Sequence, residues 1–217
     1  MDFEVARTNM VESQIRTWDV LDQRILDVLL DLPRQEFVPE AYRHLAFADL
    51  DLPLGHGQFM LAPKLEARLV QELGVGPNDR VLEIGTGSGY STALLSRLAA
   101  HVHSVEVIGE FSRAAAQRLD AHGIRNVTLD TGDGAAGWLR HAPYGAIVIG
   151  GSLPVLPEEF KDQLAIGGRL VAVLGRVPAM TATLVVRVAA GAFTTTGLFE
   201  TSIAPLLRAR EPARFVF

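Results

Sequence analysis

Hydrophobic positions repeat with two periods along this chain, and the change of period marks its organisation. Val81, Leu82 and Ile84 form a short apolar run with β-branched members, followed by Gly85, Gly87 and Gly89 and then by apolar positions at helical spacing from Thr92 to Leu98. That order predicts strand, glycine turn, helix, the first unit of an open α/β sheet. The alternation continues with helix 91–99, strand 102–106, helix 110–122 ended by Gly123, and strand 126–129. A fourth strand is expected at 144–149, a short helix at 158–164 started by Pro157, and a strand at 169–174 after Gly167-Gly168. Residues 182–188 and 192–200 are β-rich runs flanking Ala189-Ala190-Gly191, which reads as an antiparallel hairpin. The pattern predicts a doubly wound α/β fold with a mostly parallel seven-stranded sheet and an antiparallel C-terminal pair. It leaves the spatial order of the last two strands open.

Upstream of this sheet, Met10, Val11 and Ile15 suggest a short helix. Asp22 is placed to cap a second one, in which Ile25, Leu26 and Leu29 face one way and which Pro33 ends. Residues 34–39 are expected to be extended, since Pro39 restricts Val38, with another helical turn over 41–48. Residues 51–58 read as a loop from their Pro and Gly content. Pro63 then opens a helix striped by Leu65, Leu69 and Leu73, closed by Gly74 and Gly76-Pro77. No low-complexity linker or repeat interrupts the chain. Residues 1–79 therefore read as a helical N-terminal extension and 80–217 as the ligand-binding sheet of one domain, 1–217.

The glycine turn narrows the ligand. A dinucleotide fingerprint needs Gly-x-Gly-x-x-Gly/Ala; counted from Gly85 its last position is Tyr90, and counted from Gly87 it is Thr92. A P-loop would need a following Gly-Lys-Ser/Thr, which is absent. What fits is Glu-x-Gly-x-Gly-x-Gly, from Glu83 to Gly89. Glu106 ends the second strand 21 residues beyond Gly85, where a carboxylate can accept hydrogen bonds from two ribose hydroxyls. Asp133, between Gly132 and Gly134 after the third strand, can accept from an adenine amino group. Both features support a nucleoside ligand.

Composition adds exclusions. With 217 residues, 48% apolar and 21% charged, the chain can bury an ordinary core without covalent staples. It has no cysteine, which removes disulfide and thiolate chemistry. The start shows no basic region followed by an apolar core, and no uncharged apolar run reaches the ~18 residues of a membrane span. A cytoplasmic protein with no membrane partner is expected. A net charge of −5 argues against general nucleic-acid affinity. The six histidines are scattered, and His101 and His103 flank Val102 in a strand, so they read as a packed or solvated pair and no metal site is expected. Oligomeric state has no signature here.

Several stretches together resemble one family, the protein-L-isoaspartate O-methyltransferases, a group of class I S-adenosylmethionine-dependent methyltransferases with a Rossmann-like sheet. Met10-Val11-Glu12-Ser13-Gln14-Ile15 is similar to the family's Met-Val-x-x-Gln-Ile opening, and Pro33-Arg34-Gln35-Glu36-Phe37-Val38-Pro39-Glu40 to its Val-Pro-Arg-x-x-Phe-Val-Pro-Glu stretch. Residues 52–58 resemble its Pro-Leu-Pro-Ile-Gly-x-Gly-Gln loop, and VLEIGTGSGY, residues 81–90, its cofactor motif. The resemblance implies methylation of the isoaspartyl carboxylate in damaged proteins, with S-adenosylmethionine as cofactor and a protein or peptide as partner. It implies that Gly85, Thr86, Gly87 and Gly89 lie at the methionine end of the cofactor, with Glu83 orienting the turn. Glu106 then takes the ribose, and Asp133 with Gly134 the adenine. Gly55, His56, Gly57 and Phe59 should line the acceptor side, with Gln58 and residue 61 at the reacting groups.

Three departures fall at the expected site. The family's Thr-Ile-Ser after Gly-x-Gly-Gln is here Phe59-Met60-Leu61, so Leu61 stands where the family keeps a Ser hydroxyl. The family's Val-Thr-Ala-Ala after the fourth strand is Val148-Ile149-Gly150-Gly151, one residue longer before Pro157, and the Arg usual after the ribose acid is Val107. Two other readings therefore stand beside isoaspartyl transfer: the same fold acting on another acceptor, or a cofactor-binding protein without catalysis.

Overall fold

Residues 2–211 are described in a computed structural model. The chain opens with α1 (Phe3–Met10), capped by the Asp2 carboxylate, and continues through a π-helical turn over Val11–Ile15. Met10, Val11 and Ile15 are fully buried, as their spacing predicts. Asp22 caps α2 (Gln23–Asp31) by accepting from the Arg24 N–H, and Ile25, Leu26 and Leu29 face the core.

Two local expectations are corrected. Residues 34–36 are not extended but form a 3-10 turn, followed by a second over Glu40–Leu45. Pro39 constrains Val38 and not the residues before it, while the Arg34 side chain has buried partners that draw the turn inward. Residues 51–58 are not a plain loop. β1 (Leu52–Gly55) and β2 (Gln58–Met60) form an antiparallel hairpin with Leu52 opposite Met60. Its turn runs through Gly55, His56 and Gly57, all at positive φ. Each strand pairs only with the other, and so short a pair carries little periodic signal. α3 (Pro63–Leu73) follows as predicted, with Pro63 in its first turn and Gly74 left-handed at its end.

The main sheet contains β3 (Arg80–Ile84), β4 (His101–Glu106), β5 (Val127–Thr131), β6 (Tyr144–Ile149), β7 (Leu164–Arg176), β8 (Ala179–Ala189) and β9 (Ala192–Glu200). Their spatial order is β5-β4-β3-β6-β7-β8-β9. The first five are parallel, while β8 and β9 are antiparallel and follow in sequence order, which settles the question left open above. β7 begins five residues before the predicted start, at Leu164, and is shifted by an irregularity between Tyr144 and Ala146 of its partner. The predicted helix at 158–164 accordingly shortens to α6 (Glu158–Asp162).

α4 (Tyr90–Leu98) and α5 (Gly109–Ala121) connect the parallel strands. One buried cluster joins Met10, Ile15 and Leu29 from the N-terminal part to Val81, Tyr90 and Val102 of the sheet. Because β4 lies on one side of β3 and β6 on the other, strand order reverses at β3. A crevice forms at the carboxyl end of β3, where ligands enter such sheets.

Candidate active site

Four strand ends converge on that crevice: Ile84-Gly85 after β3, Glu106 on β4, Gly132-Asp133-Gly134 after β5 and Gly150-Gly151 after β6. They line one cavity. A second cavity lies beside it, bounded by Leu61, Leu69, Glu83, Thr86 and Ser91. Leu54, Phe59, Gly85, Gly87 and Gly150 belong to both walls, so the two chambers meet at the glycine turn.

The turn is held by carboxylates. Glu106, 5% exposed, accepts from the Gly87 N–H through Oε2 at 2.9 Å and from the Ile108 N–H through Oε1 at 2.8 Å. Glu83 is 1% exposed; its Oε2 accepts from Thr92 Oγ1 at 2.5 Å and from Ser104 Oγ at 2.6 Å. Thr86 Oγ1 completes this network, 2.5 Å from Ser104 Oγ. Glu83 Oε1 is buried and has no hydrogen-bond partner among the described residues. Burial pushes the Glu83 carboxyl up to about 7, against the pull of the Ser104 and Thr92 hydroxyls.

The predicted residues divide between the chambers. Gln58, Phe59, Glu106, Asp133 and Gly134 line the first; Phe59, Leu61, Glu83 and Thr86 line the second; Gly85 and Gly87 line both. Asp133 accepts from the Ala135 N–H at 3.0 Å and lies 3.6 Å from Arg208. Gly89 lines neither chamber. It sits at φ +86 before α4, and a Cβ there would lie 3.0 Å from that of Ala115 on α5, so it serves helix packing. Gly55, His56 and Gly57 line neither chamber: His56 turns outward to Glu110 Oε2, 3.2 Å away, with its edge on the Phe111 ring. His101 and His103 are not alone; His103 is stacked on His141, with centroids 4.1 Å apart, and lies tilted against His101, with centroids 4.6 Å apart. Burial holds the His103 imidazole down at about 4.

Several lining residues escaped the sequence reading. Leu54 sits 3.2 Å from where a Gly87 Cβ would be, and Phe111 reaches in from α5. Leu206 and Leu207 arrive from the C-terminal segment, carried there by a strap along Ser152. The Ser152 N–H donates to the Ala204 carbonyl, and the Leu206 N–H to that of Ser152, both at 2.9 Å. This explains the glycine departure after β6. A Cβ on Gly151 would lie 2.7 Å from Leu206 Cα, and one on Gly150 3.2 Å from the Gly85 carbonyl oxygen. Gly150-Gly151 thus seats the strap against the glycine turn. Gly151→Ala is expected to lift it, speeding hydrogen exchange at the Leu206 amide at least about tenfold. Unchanged exchange there would show that the strap accommodates the methyl.

A reversed-order sheet with a glycine turn at the switch point and a carboxylate on the neighbouring strand end is the arrangement of class I S-adenosylmethionine-dependent methyltransferases. A family model described as protein-L-isoaspartate(D-aspartate) O-methyltransferase matches residues 6–210, and the chain belongs to that family, which uses S-adenosylmethionine. Protein-L-isoaspartate O-methyltransferase 1 of Rhodopseudomonas palustris is 44% identical over 173 residues, 80% of this chain and 71% of that protein. The Koribacter versatilis protein-L-isoaspartate O-methyltransferase is 37% identical over 98% of this chain and 96% of its own. Among solved structures, a protein-L-isoaspartate O-methyltransferase superposes with TM-score 0.80 at 26% identity, over 92% of this chain and 65% of that one. A Plasmodium falciparum structure described as a complex with S-adenosyl-L-homocysteine shares the fold, with TM-score 0.77 at 18% identity over 92% of this chain and 97% of its own. The protein is a methyltransferase of this family.

Proposed function

We propose that the protein methylates the free carboxylate of isoaspartyl residues in damaged proteins and peptides, working as one domain over its length. The observation that carries this reading is the meeting of the two chambers at Gly85, Gly87 and Phe59. One chamber presents acids suited to a nucleoside. The other presents a mostly apolar wall with Glu83 at its base. When bound, S-adenosylmethionine supplies a methyl group on a positively charged sulfur. The residues fit such a group: the unpartnered Glu83 Oε1 suits its ammonium, and Glu106 and Asp133 suit ribose hydroxyls and an adenine amino group.

The chain's part in the chemistry is then positioning and dehydration. A substrate carboxylate is ionised at neutral pH and needs no general base. The bound cofactor would supply the methyl group to that carboxylate with no proton to be moved, so no residue here is needed as an acid or base. Gln58, on the wall of the first chamber next to Phe59, would orient the acceptor from the side where the chambers meet, and Leu54, Phe59 and Leu206 would shut out water, which strengthens attraction between the carboxylate and the cationic sulfur. A cytoplasmic location is part of this reading. Among the described residues, no helix is long and apolar enough to cross a membrane.

Glu106→Ala is expected to weaken cofactor binding by about 1–3 kcal/mol, through lost hydrogen bonds to a charged group. Titration calorimetry giving the wild-type affinity would refute the ribose assignment.

A second reading, transfer to a different acceptor, is favoured by one observation: Leu61 lines the second chamber with an apolar side chain where the family keeps a hydroxyl. The deciding experiment is transfer from labelled S-adenosylmethionine to an isoaspartyl peptide, with its aspartyl twin as control. Base-labile label on the first alone supports isoaspartyl transfer. Cofactor binding without such transfer, and label on another acceptor from a cell extract, supports the second reading.

A further inference from the structure

A third cavity opens next to the two chambers. It is an open groove with a volume of about 570 Å³, and among the described residues Phe59 is the one that lines all three. Its other walls are the loop after β6 at Pro154, the turn from β7 to β8 at Val177 and Met180, and the C-terminal strap at Ile203 and Pro205. Phe59 is 43% exposed and Val177 73%, while Met180 and Ile203 form a buried floor at 5% each. The Thr201 N–H donates to the Met180 carbonyl at 3.1 Å, tying strap to hairpin, so the groove has two walls fastened to each other.

The charges at its rim are engaged. Arg176 pairs with Glu211, and Asp51 Oδ1 accepts from the Ala62 N–H at 2.7 Å. What the groove offers is therefore mainly apolar surface, continuous at Phe59 with both chambers, including the second where Leu61 stands. The volume suits a short run of residues more than a single side chain.

We propose that this groove holds apolar side chains of the acceptor polypeptide next to the methylated residue, with Phe59 as the threshold between groove and chamber. The proposal rests on the reading that the acceptor is an isoaspartyl polypeptide. Once the damaged side chain passes Phe59 into the second chamber, the chain that carries it has to leave across the groove. Neighbouring residues then bury against Val177, Met180 and Ile203. Affinity for the acceptor, and so KM, follows the apolar character of those neighbours. The rate of transfer from the bound state does not, because the groove touches none of the reacting atoms.

The test is a set of isoaspartyl peptides with Leu, Ser, Asp or Lys at the positions on either side of the damaged residue. It is run with the full-length protein and with Val177→Asp, a substitution at a largely exposed position that should fold. Leu on the groove side is expected to lower KM about tenfold relative to Asp, the effect of partly burying one such side chain, with kcat unchanged. Val177→Asp should abolish that preference while leaving cofactor affinity and kcat as they were. Methylation with the same KM whatever the neighbours, or a Leu preference that survives Val177→Asp, overturns the groove proposal and leaves isoaspartyl transfer standing. Methylation of no isoaspartyl peptide despite bound cofactor removes the substrate reading, and the groove's role with it. A chain ending at Glu211 gives a further outcome, since residues 212–217 include Phe215, Val216 and Phe217. If that deletion lowers KM for the Leu-flanked peptide several-fold, the groove belongs to the chain's own end and the proposal fails.

Discussion

Replacing Arg34 by methionine is expected to lower stability by about 3–5 kcal/mol, the cost of leaving one member of a buried ion pair without its partner. Arg34 is 0% exposed and Glu66, on α3, is 6% exposed. Each of the three guanidinium nitrogens donates a hydrogen bond. Nη1 donates to Glu66 Oε2 at 2.5 Å, Nη2 to the Leu61 carbonyl at 2.5 Å and Nε to the Ala46 carbonyl at 2.9 Å. Its flat face lies 4.7 Å from the centre of the Tyr90 ring, at the start of α4. One side chain thus joins the N-terminal part, the segment just after the β1–β2 hairpin, α3 and the helix that follows the glycine turn. Methionine fills similar volume but donates to none of these groups. Two carbonyls lose their partner, and Glu66 is left as an uncompensated buried carboxyl.

Burial already raises the Glu66 pKa despite the neighbouring guanidinium, so losing Arg34 raises it further. A carboxyl with a raised folded pKa contributes its stability at low pH and loses it as pH rises, so the variant should suffer more at pH 8 than at pH 5. Chemical denaturation at both pH values, without cofactor, measures this. A loss below about 1 kcal/mol would show that the pair's desolvation cost cancels its attraction, as some buried pairs do.

Much of the sheet was legible because its signals are local. The apolar runs at 81–84 and 144–149, and the glycine after α5, place β3, β6 and a helix end to within a residue or two. Glu106 and Asp133 were findable for the same reason, since each ends a strand whose position was already known. What stayed hidden depends on parts of the chain distant in sequence. Leu206 meets Gly151 only because a strap crosses the mouth of the crevice, and no periodicity marks it. The substitution of Gly150-Gly151 for the family's residues was visible in the sequence, but its cause was not. Arg34 looked like part of an extended stretch because its partners are 12, 27 and 32 residues away.

Motif reading also gave some residues a shared role that the structure divides. Three alternate glycines look alike on paper, yet Gly85 and Gly87 line the chambers while Gly89 lets α5 approach α4. His56 sits in the acceptor loop by sequence, but at φ +53 in a tight hairpin turn its ring is directed outward to Glu110. Loop composition reported a turn there correctly and said nothing of the two short strands it joins.

Replacing Glu83 by glutamine is expected to stabilise the cofactor-free protein at alkaline pH while weakening its hold on S-adenosylmethionine. Burial sets the folded pKa of Glu83 at about 7, against an ordinary 4.5. Between those values the folded state holds a proton that the unfolded state has released. The group's contribution is therefore complete below pH 4.5 and is lost as pH rises through 7. The shift corresponds to about 3 kcal/mol of penalty for the buried charge at pH 8. Glutamine is neutral at every pH, and its one carbonyl oxygen can still accept from both Thr92 and Ser104. The stability difference between variant and wild type should therefore move by about 3 kcal/mol in the variant's favour from pH 4.5 to pH 8, a shift of roughly 6–12 °C in relative Tm. Groups common to both proteins cancel in that difference. Cofactor affinity should run the other way. An ammonium beside Oε1 favours the ionised carboxylate, so wild-type affinity should rise with pH through the neutral range, while that of Glu83→Gln stays low and flat. Stability differences equal at pH 5 and pH 8 would show that Glu83 is ionised throughout. A variant with wild-type affinity and wild-type pH profile would take Glu83 out of the cofactor site and leave it as a brace for the glycine turn.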